Sequence, residues 1–395
     1  MMVSIAGSQM QLWALFWHIR TLTDQPIALG MVGLVRILPV IFFSLLGGSL
    51  ADVANRRKVM FITQSLMAGT ALVLAWLTFG GHIALWHIYL LTGLQAIAIS
   101  FDTPSRQALV PNLVPARDLS NAFSLQSIAF QTGSIAGPAL SGLVIAYWGL
   151  GYAYTINAIS YGAVIVALAL MGAVSQQASG SKQLFSLPAI REGVHFILNQ
   201  PIILSTMILD FFATFFSSAN TLMPIFARDV LHVGAVDYGW LSSAQSIGAV
   251  SAALIISQVA EIRHQGKIFL GAVVVFGLAT VLFGTARSFV LAMVALVFVG
   301  ASDSVSTIIR NTIRQLQTPD YIRGRMTSIN QIFFMGGPQL GEVEAGVAAQ
   351  LFGAPFAVVS GGIGCILVVA WIARRWPRLR QYNGDEPVMA GATAD

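Results

Sequence analysis

The sequence predicts an all-α integral membrane protein: twelve transmembrane helices in two pseudo-symmetric six-helix bundles, with both termini cytoplasmic. Three observations lead there. Of 395 residues, 56% are hydrophobic and only 9% charged, with a mean hydropathy of +0.76, which excludes an ordinary soluble domain. The apolar residues come in blocks near the ~20 residues that carry a helix across a bilayer core, without the period-two alternation of an outer-membrane barrel. The second half of the chain also repeats the first.

In order, the predicted spans cover residues 1–20, 27–50, 59–79, 83–102, 120–146, 151–173, 202–226, 237–259, 268–285, 288–309, 326–350 and 354–374. Short turns poor in charge lie on one side, at Gly80-Gly81, Trp148-Gly149 and Phe352-Gly353-Ala354-Pro355. The other connections are longer and basic. Of the 21 Lys and Arg residues, seventeen fall on that basic side, three (Arg20, Arg228 and Arg287) on the other, and Arg36 lies inside a span. The positive-inside rule makes the basic side cytoplasmic. The net charge of +5 thus reports topology rather than a nucleic-acid surface, because the basic residues form no single patch. The first span runs against the sum, with no basic residue before it and Arg20 after it. A late start site or an N-terminal truncation is the expected reason. Cys365, the one cysteine, sits in an apolar run and allows no intrachain disulfide.

The middle divides the chain. Val174–Lys182 is a polar linker, and Leu184–Asn199 sets Ile190, Val194 and Ile197 on one helical face, as in an amphipathic helix on the cytoplasmic surface. The expected divisions are a bundle over 1–174, a cytoplasmic linker over 175–201, a second bundle over 202–374 and a cytoplasmic tail over 375–395. A shift of 204 residues superposes Arg106 on Arg310, Pro115 on Pro319, Gly133 on Gly337, Gly137 on Gly341 and Gly142 on Gly346. A shift of 209 superposes Asp52 on Glu261 and Lys58 on Lys267. Parallel six-helix repeats are a transporter architecture.

Three motifs resemble those of the major facilitator superfamily. Gly48-x-x-x-Asp52-x-x-x-Arg56-Arg57 is similar to the signature loop between its second and third helices. Gly133-x-x-x-Gly137-Pro138-x-x-x-Gly142 resembles the fifth-helix motif of its antiporters. Phe101-Asp102-x-Pro104-x-Arg106, with Gly337-Pro338-Gln339-Leu340-Gly341-Glu342-x-Glu344, resembles the enterobactin-exporter-like branch, the transmembrane secretion effectors. The signature loop departs at Val53, where the family has a basic residue, and at Asn55, where it has Gly; Asn tolerates the left-handed turn that a Gly would make there. The resemblance implies a cytoplasmic latch of Gly48, Asp52, Arg56, Arg57, Asp102 and Arg106, made in one conformation and broken in the other.

Buried charge supplies the other candidates. Arg36 lies about nine residues into the second span, so ~13 Å deep, and a bare Arg there costs about 2.5–3.5 kcal/mol on insertion scales. Glu342 and Glu344 in the eleventh span are its expected partners in a periplasmic gate, although about 200° apart around a helix they cannot face it equally. A static ion pair or an arginine snorkelling to the interface is the alternative. Asp210, Asp303, Glu342 and Glu344 are proton-coupling candidates, since carboxylates in a low-dielectric interior can exchange protons near neutral pH. Gln11, Gln95, Gln126, Gln131, Asn220, Gln245, Asn330 and Gln331 are candidates for lining a substrate path, or for joining helices. His18 is expected at the interface.

No phosphate-binding loop, zinc-protease motif, paired-cysteine metal site or nucleophile elbow occurs, so neither an enzyme nor a cofactor is expected. The expected protein is a monomeric proton-coupled exporter of a small organic or amphipathic molecule, siderophore- or drug-like, in the bacterial inner membrane. Import or facilitated passage of a metabolite, and a non-transporting receptor or assembly scaffold, are the other readings.

Overall fold

A computed structural model of the protein describes residues 2–172, 187–217, 220–259, 262–319 and 322–384. Its first half holds α1 (Met2–Leu22), α2 (Pro26–Val53), α3 (Arg56–Phe79), α4 (Leu85–Leu113), α5 (Leu119–Tyr147) and α6 (Leu150–Leu170). The short α7 (Leu187–Leu198) follows. The second half holds α8 (Pro201–Phe216), α9 (Met223–Ile225), α10 (Ala235–Ser257), α11 (Gln265–Thr285), α12 (Phe289–Leu316), α13 (Arg323–Phe352), α14 (Ala354–Arg375) and α15 (Pro377–Gln381). Among the described residues there is no strand.

Nine described stretches are long and apolar enough to cross a membrane: those of α2, α3, α5, α6, α10, α11, α12 and α14, and the stretch Pro201–Val230. α1, α4 and α13 are as long, with 21, 29 and 30 residues, but they carry more polar side chains. The predicted seventh span is not one helix. α8 ends at Phe216, and a 3₁₀ turn (Asn220–Leu222), α9 and a π turn (Phe226–Val230) follow it. Pro224, which has no N–H to donate, lies within that broken stretch.

Packing divides the chain into two compact units. The first comprises Met1–Leu184 with Met223–Ser243, the second Phe185–Leu222 with Ala244–Asp395. Glycines set the helix crossings inside each. In the first, a Cβ on Gly133 would lie 2.7 Å from the Ile5 side chain, and one on Gly137 2.8 Å from the Ala6 carbonyl, so α5 lies directly on α1. A Cβ on Gly142 would lie 2.4 Å from the Ala235 carbonyl at the start of α10. In the second unit Gly337 meets α8, where its Cβ would come within 2.4 Å of Thr214 Oγ1. The sequence repeat that pairs Gly133 with Gly337 is therefore also a repeat of helix pairing.

α4 does not stop at Asp102, where the spans predict its end. It runs on through Pro104 and Pro111 to Leu113. Pro104 cannot donate to the Ser100 carbonyl four residues back, and α2 crosses at that carbonyl, with Gly47 so close that a Cβ would lie 2.1 Å from the oxygen. Asn55 is also not left-handed. At φ −68° it is extended and caps α3, its side-chain oxygen accepting from Lys58 N at 3.1 Å.

On α7, Phe196 and Ile197 pack against Ile203, Met207 and Met326, while Val194 stays exposed. Beyond Arg375 the chain is not all free tail. Leu379 and Tyr382 are buried in the core of the second unit, and Gly266 N donates to Tyr382 O at 2.9 Å. The linker over 173–186, Glu261 and the tail beyond residue 384 lie outside the described residues, as do the side chains of Asp52 and Gln331.

Gly47→Val should force α2 away from α4, with a cost at or above the usual 1–3 kcal/mol of overpacking. Gly69→Ala, where nothing lies within 4 Å of the new Cβ, should be neutral to mildly stabilising. Size-exclusion profiles and melting in detergent measure both, and a Gly47→Val protein as monodisperse and heat-stable as the parent would contradict the crossing.

Candidate functional site

The first unit encloses a cavity of about 460 Å³ walled by α1 to α6. Its wall is a chain of side-chain hydrogen bonds. Asn157 Nδ2 donates to Gln11 Oε1 at 2.7 Å, Gln11 Nε2 to Gln95 Oε1 at 2.8 Å, and Gln95 Nε2 to Thr70 Oγ1 at 3.1 Å. Ser8 and Tyr161 share a bond of 3.0 Å. Of the expected path-lining residues, Gln11, Gln95 and Gln126 belong to the cavity; Gln131 is exposed and outside it. Asn220 and Gln245 instead bond each other at 2.9 Å in the second unit, where Asn330 is half-buried. His18 is not interfacial: it is buried and bonded to the Tyr154 hydroxyl at 3.0 Å.

Asp102 forms the cavity's acidic corner. Only 3% exposed, it accepts from Thr63 Oγ1 at 3.0 Å and Gln64 Nε2 at 2.9 Å on one oxygen, and from Arg106 Nε at 3.1 Å on the other. One helical turn separates Asp102 from Arg106, so one helix presents the whole ion pair. Arg56 and Arg57 reach carbonyl and amide oxygens. Arg56 donates to Ala108 O at 2.9 Å and Asn112 Oδ1 at 2.7 Å, and Arg57 to the carbonyls of Leu168 and Ala169 at 2.6 and 3.0 Å. Arg57 thereby caps the C-terminal end of α6, where unpaired carbonyls and the helix dipole favour a cation. Gly48 is half-buried in α2, beside the Gly47 crossing.

The second unit repeats the arginine and relocates its acid. Arg310, the counterpart of Arg106, is 2% exposed and pairs with Asp210 on α8 at 2.6 Å. Ser306 occupies the position corresponding to Asp102 and lies 3.4 Å from Arg310 Nη1. Asp303 stands 3.8 Å from the same guanidinium with its side chain 48% exposed. Arg314, one turn further and 3% exposed, donates to Arg310 O at 3.1 Å and to Asn311. Arg310 and Arg314 were counted in sequence as surface charges beyond a span ending at 309; both lie inside α12. The superposition of Arg310 on Arg106 was the available signal. Glu342 is buried and Glu344 half-buried on α13, while Arg36 lines the cavity of the first unit.

A further ion pair escaped the sequence reading. At the short-turn end of α1, Arg20 donates to Asp229 at 2.8 and 3.1 Å and also pairs with Asp24. Nearby, Tyr238 OH donates to Trp13 O at 2.8 Å. The hydrogen bond from Arg20 holds the exposed Asp24 carboxyl below its usual range. Asp229 is more than 200 residues from Arg20 in sequence, and no spacing rule connects them.

Asp210→Asn should leave Arg310 without its close carboxylate and cost about 3–5 kcal/mol, as breaking one side of a buried pair does. Pairing it with Arg310→Gln should recover most of the loss. Thermal unfolding of the three variants decides this, and additive losses in the double variant would show that the two side chains do not act as a pair.

The family model of the transmembrane secretion effectors matches residues 1–389. The enterobactin exporter EntS of Citrobacter koseri is 26% identical over 349 residues, covering 88% of this chain and 83% of that protein. The staphyloferrin A transporter of Staphylococcus aureus is 25% identical, covering 94% of each. Among solved structures, an inward-facing, occupied bacterial homolog of the human lysosomal transporter Spinster superposes with a TM-score of 0.75 at 12% identity, over 95% of each chain. The xylose transporter XylE from E. coli superposes with 0.69 at 14% identity, over 94% of each. These structures establish the fold, an all-helical major facilitator architecture. With a family model spanning nearly its whole length, the chain belongs to the transmembrane secretion effector family, whose members are transporters rather than enzymes.

Proposed function

We propose that this protein is a secondary exporter of the bacterial inner membrane. It moves a small organic or amphipathic molecule, siderophore- or drug-like, by alternating access. The observation that carries the reading is the hydrogen-bonded cavity walled in part by α1 and α4. Helices this polar are retained in a membrane bundle where they face a watery path. With α1, α4 and α13 added to the nine apolar stretches, twelve helices cross, and the basic excess sets both termini in the cytoplasm. Export rests on the enterobactin exporters among the relatives, since the name of the staphyloferrin A transporter states no direction.

Proton movement is assigned to the Asp210–Arg310–Asp303 group. Asp303 is its accessible carboxylate, and its protonation leaves Arg310 to Asp210 alone. The Asp102–Arg106 pair is the core of the cytoplasmic latch. Arg36 with Glu342 or Glu344 is the gate toward the opposite face. The protein acts as a monomer in the bilayer, without a cofactor or nucleic acid.

Accumulation of siderophore- and drug-like compounds in a strain stripped of its own exporters tests direction and coupling. Expression should lower the retained amount of at least one compound, an uncoupler should abolish the difference, and Asp303→Asn should remove the uncoupler-sensitive part while the protein level stays normal. Extrusion that is indifferent to the uncoupler would refute proton coupling.

A further inference from the structure

Four arginines fall within Arg374–Arg380, where α14 gives way to α15, and all four are exposed. They are not carried on a loose tail. Leu379 and Tyr382 are buried in the core of the second unit. Gly266 N donates to Tyr382 O at 2.9 Å, and Gln317 Nε2 to Tyr382 OH at 3.3 Å. His264 Nδ1 lies 2.8 Å from Asn383 Oδ1. This docking sets α15 against the start of α11, which adds the exposed Arg263 and Lys267 to the same end of the unit. Residues 262–268 and 371–384 together hold six Lys and Arg and no Asp or Glu. Glu261, Asp385 and Glu386 lie outside the described residues. Lys267 also stands in the first turn of α11, where the helix dipole disfavours a cation.

An apolar stripe runs into this basic surface. Ile363, Leu367, Trp371 and Arg375 follow one another at four-residue spacing on α14, and all are exposed, so they share one side of the helix. Trp371 meets Trp376 edge-on at 5.5 Å, and the Arg375 guanidinium sits 5.5 Å from the centre of the Trp376 ring. Indoles gather at the depth of lipid headgroups, which puts Arg375 at that depth. α11 lies antiparallel beside α14, with Cys365 Sγ 3.7 Å from Val273 O and Gly277 against Gly362. Lys267, six residues before Val273, is therefore level with Trp371, six residues after Cys365.

We propose that this surface holds an anionic phospholipid, with its acyl chains along Ile363 and Leu367 and its phosphate among Lys267, Arg374, Arg375 and Arg380. Arginine forks match phosphate oxygens two at a time, and clusters of roughly four to eight basic residues just beyond a membrane helix complement an anionic leaflet. A soluble acidic partner would use the arginines but has no use for the apolar stripe that leads to them. Only the membrane crossing of α11 and α14 is taken from the transporter reading; cargo, direction and proton coupling do not enter.

Two lipids with the same acyl chains test this: dioleoyl-phosphatidylglycerol, an anion, and dioleoyl-phosphatidylcholine, which carries no net charge. Each is titrated into the full-length protein purified in a non-ionic detergent, and the retained lipid is counted by native mass spectrometry. The wild type should hold phosphatidylglycerol at least about tenfold more tightly. The fourfold variant Lys267→Gln, Arg374→Gln, Arg375→Gln, Arg380→Gln should erase the preference, Arg375→Gln alone should lower it a few-fold, and Arg375→Lys should keep part of it. Arg117→Gln and Arg287→Gln, which remove exposed cations elsewhere, should leave it unchanged. If the fourfold variant does not fold, Arg375→Gln and Arg380→Gln carry the test. Glycerol 3-phosphate, the headgroup chemistry without acyl chains, should not compete at the same concentration. Equal retention of the two lipids, a preference that survives these substitutions or falls equally in Arg117→Gln, or competition by glycerol 3-phosphate as strong as that of the lipid would overturn the proposal. Polyglutamate binding that needs the same cations, with no lipid preference, would overturn it in favour of an acidic protein partner. A protein that exports but shows no lipid preference would remove this inference alone, whereas a lipid preference in a protein that moves no compound would remove the transport reading alone.

Discussion

A polar side chain inside a membrane bundle has no bulk water to fall back on, and the way Asp102 meets that constraint organises much of the first unit. Its two oxygens gather Thr63 and Gln64 from α3 and Arg106 from its own helix. One buried carboxylate thus ties α3 to α4 and neutralises itself. The glutamine chain through Gln11 and Gln95 does the same between α1, α4 and α6 with neutral groups. Because these groups satisfy one another, helices too polar to face lipid become walls of an internal cavity.

The second unit solves the same problem by another route. The arginine is kept at the repeat position, but the acid moves from α12 to α8, so the pair Arg310–Asp210 bridges two helices where Arg106–Asp102 occupies one. An intrahelical pair moves as one body with its helix. An interhelical pair resists separation of its helices, and a competing acid at 3.8 Å, Asp303, gives it an alternative. The repeat thus keeps the arginine and changes which helix supplies its acid.

Backbone proximity is the other shared device. Apolar contact between helices gains little in lipid, where tails are as apolar as leucine, and close packing of small residues takes over. Gly133 and Gly137 let α5 lie on α1, and Gly337 lets α13 meet α8. Gly47 brings α2 onto the carbonyl that Pro104 leaves without its helical donor. The signature stretch is therefore anchored just before its start by Gly47 and at its far end by Arg57 on the carbonyls of α6.

Much of this was legible in the chain itself. Apolar block length and the placement of Lys and Arg depend on local composition and spacing, and they were enough for the helical class, while the family was read from the resemblance of the motifs around Asp52, Gly137 and Asp102. Gln11, Gln95 and Gln126 were recognisable as cavity candidates because amides are rare in lipid-facing helices. Partnership was not legible. That Asp210 belongs to Arg310, that Arg20 reaches Asp229, that His18 is buried on Tyr154 and that α4 continues through two prolines are consequences of distant segments meeting, and no period or spacing encodes those meetings. The sequence by itself determined which residues are too polar to face lipid. Only the tertiary structure decided which of them satisfy each other, because a hydrogen bond needs its two atoms about 3 Å apart and only packing sets that distance.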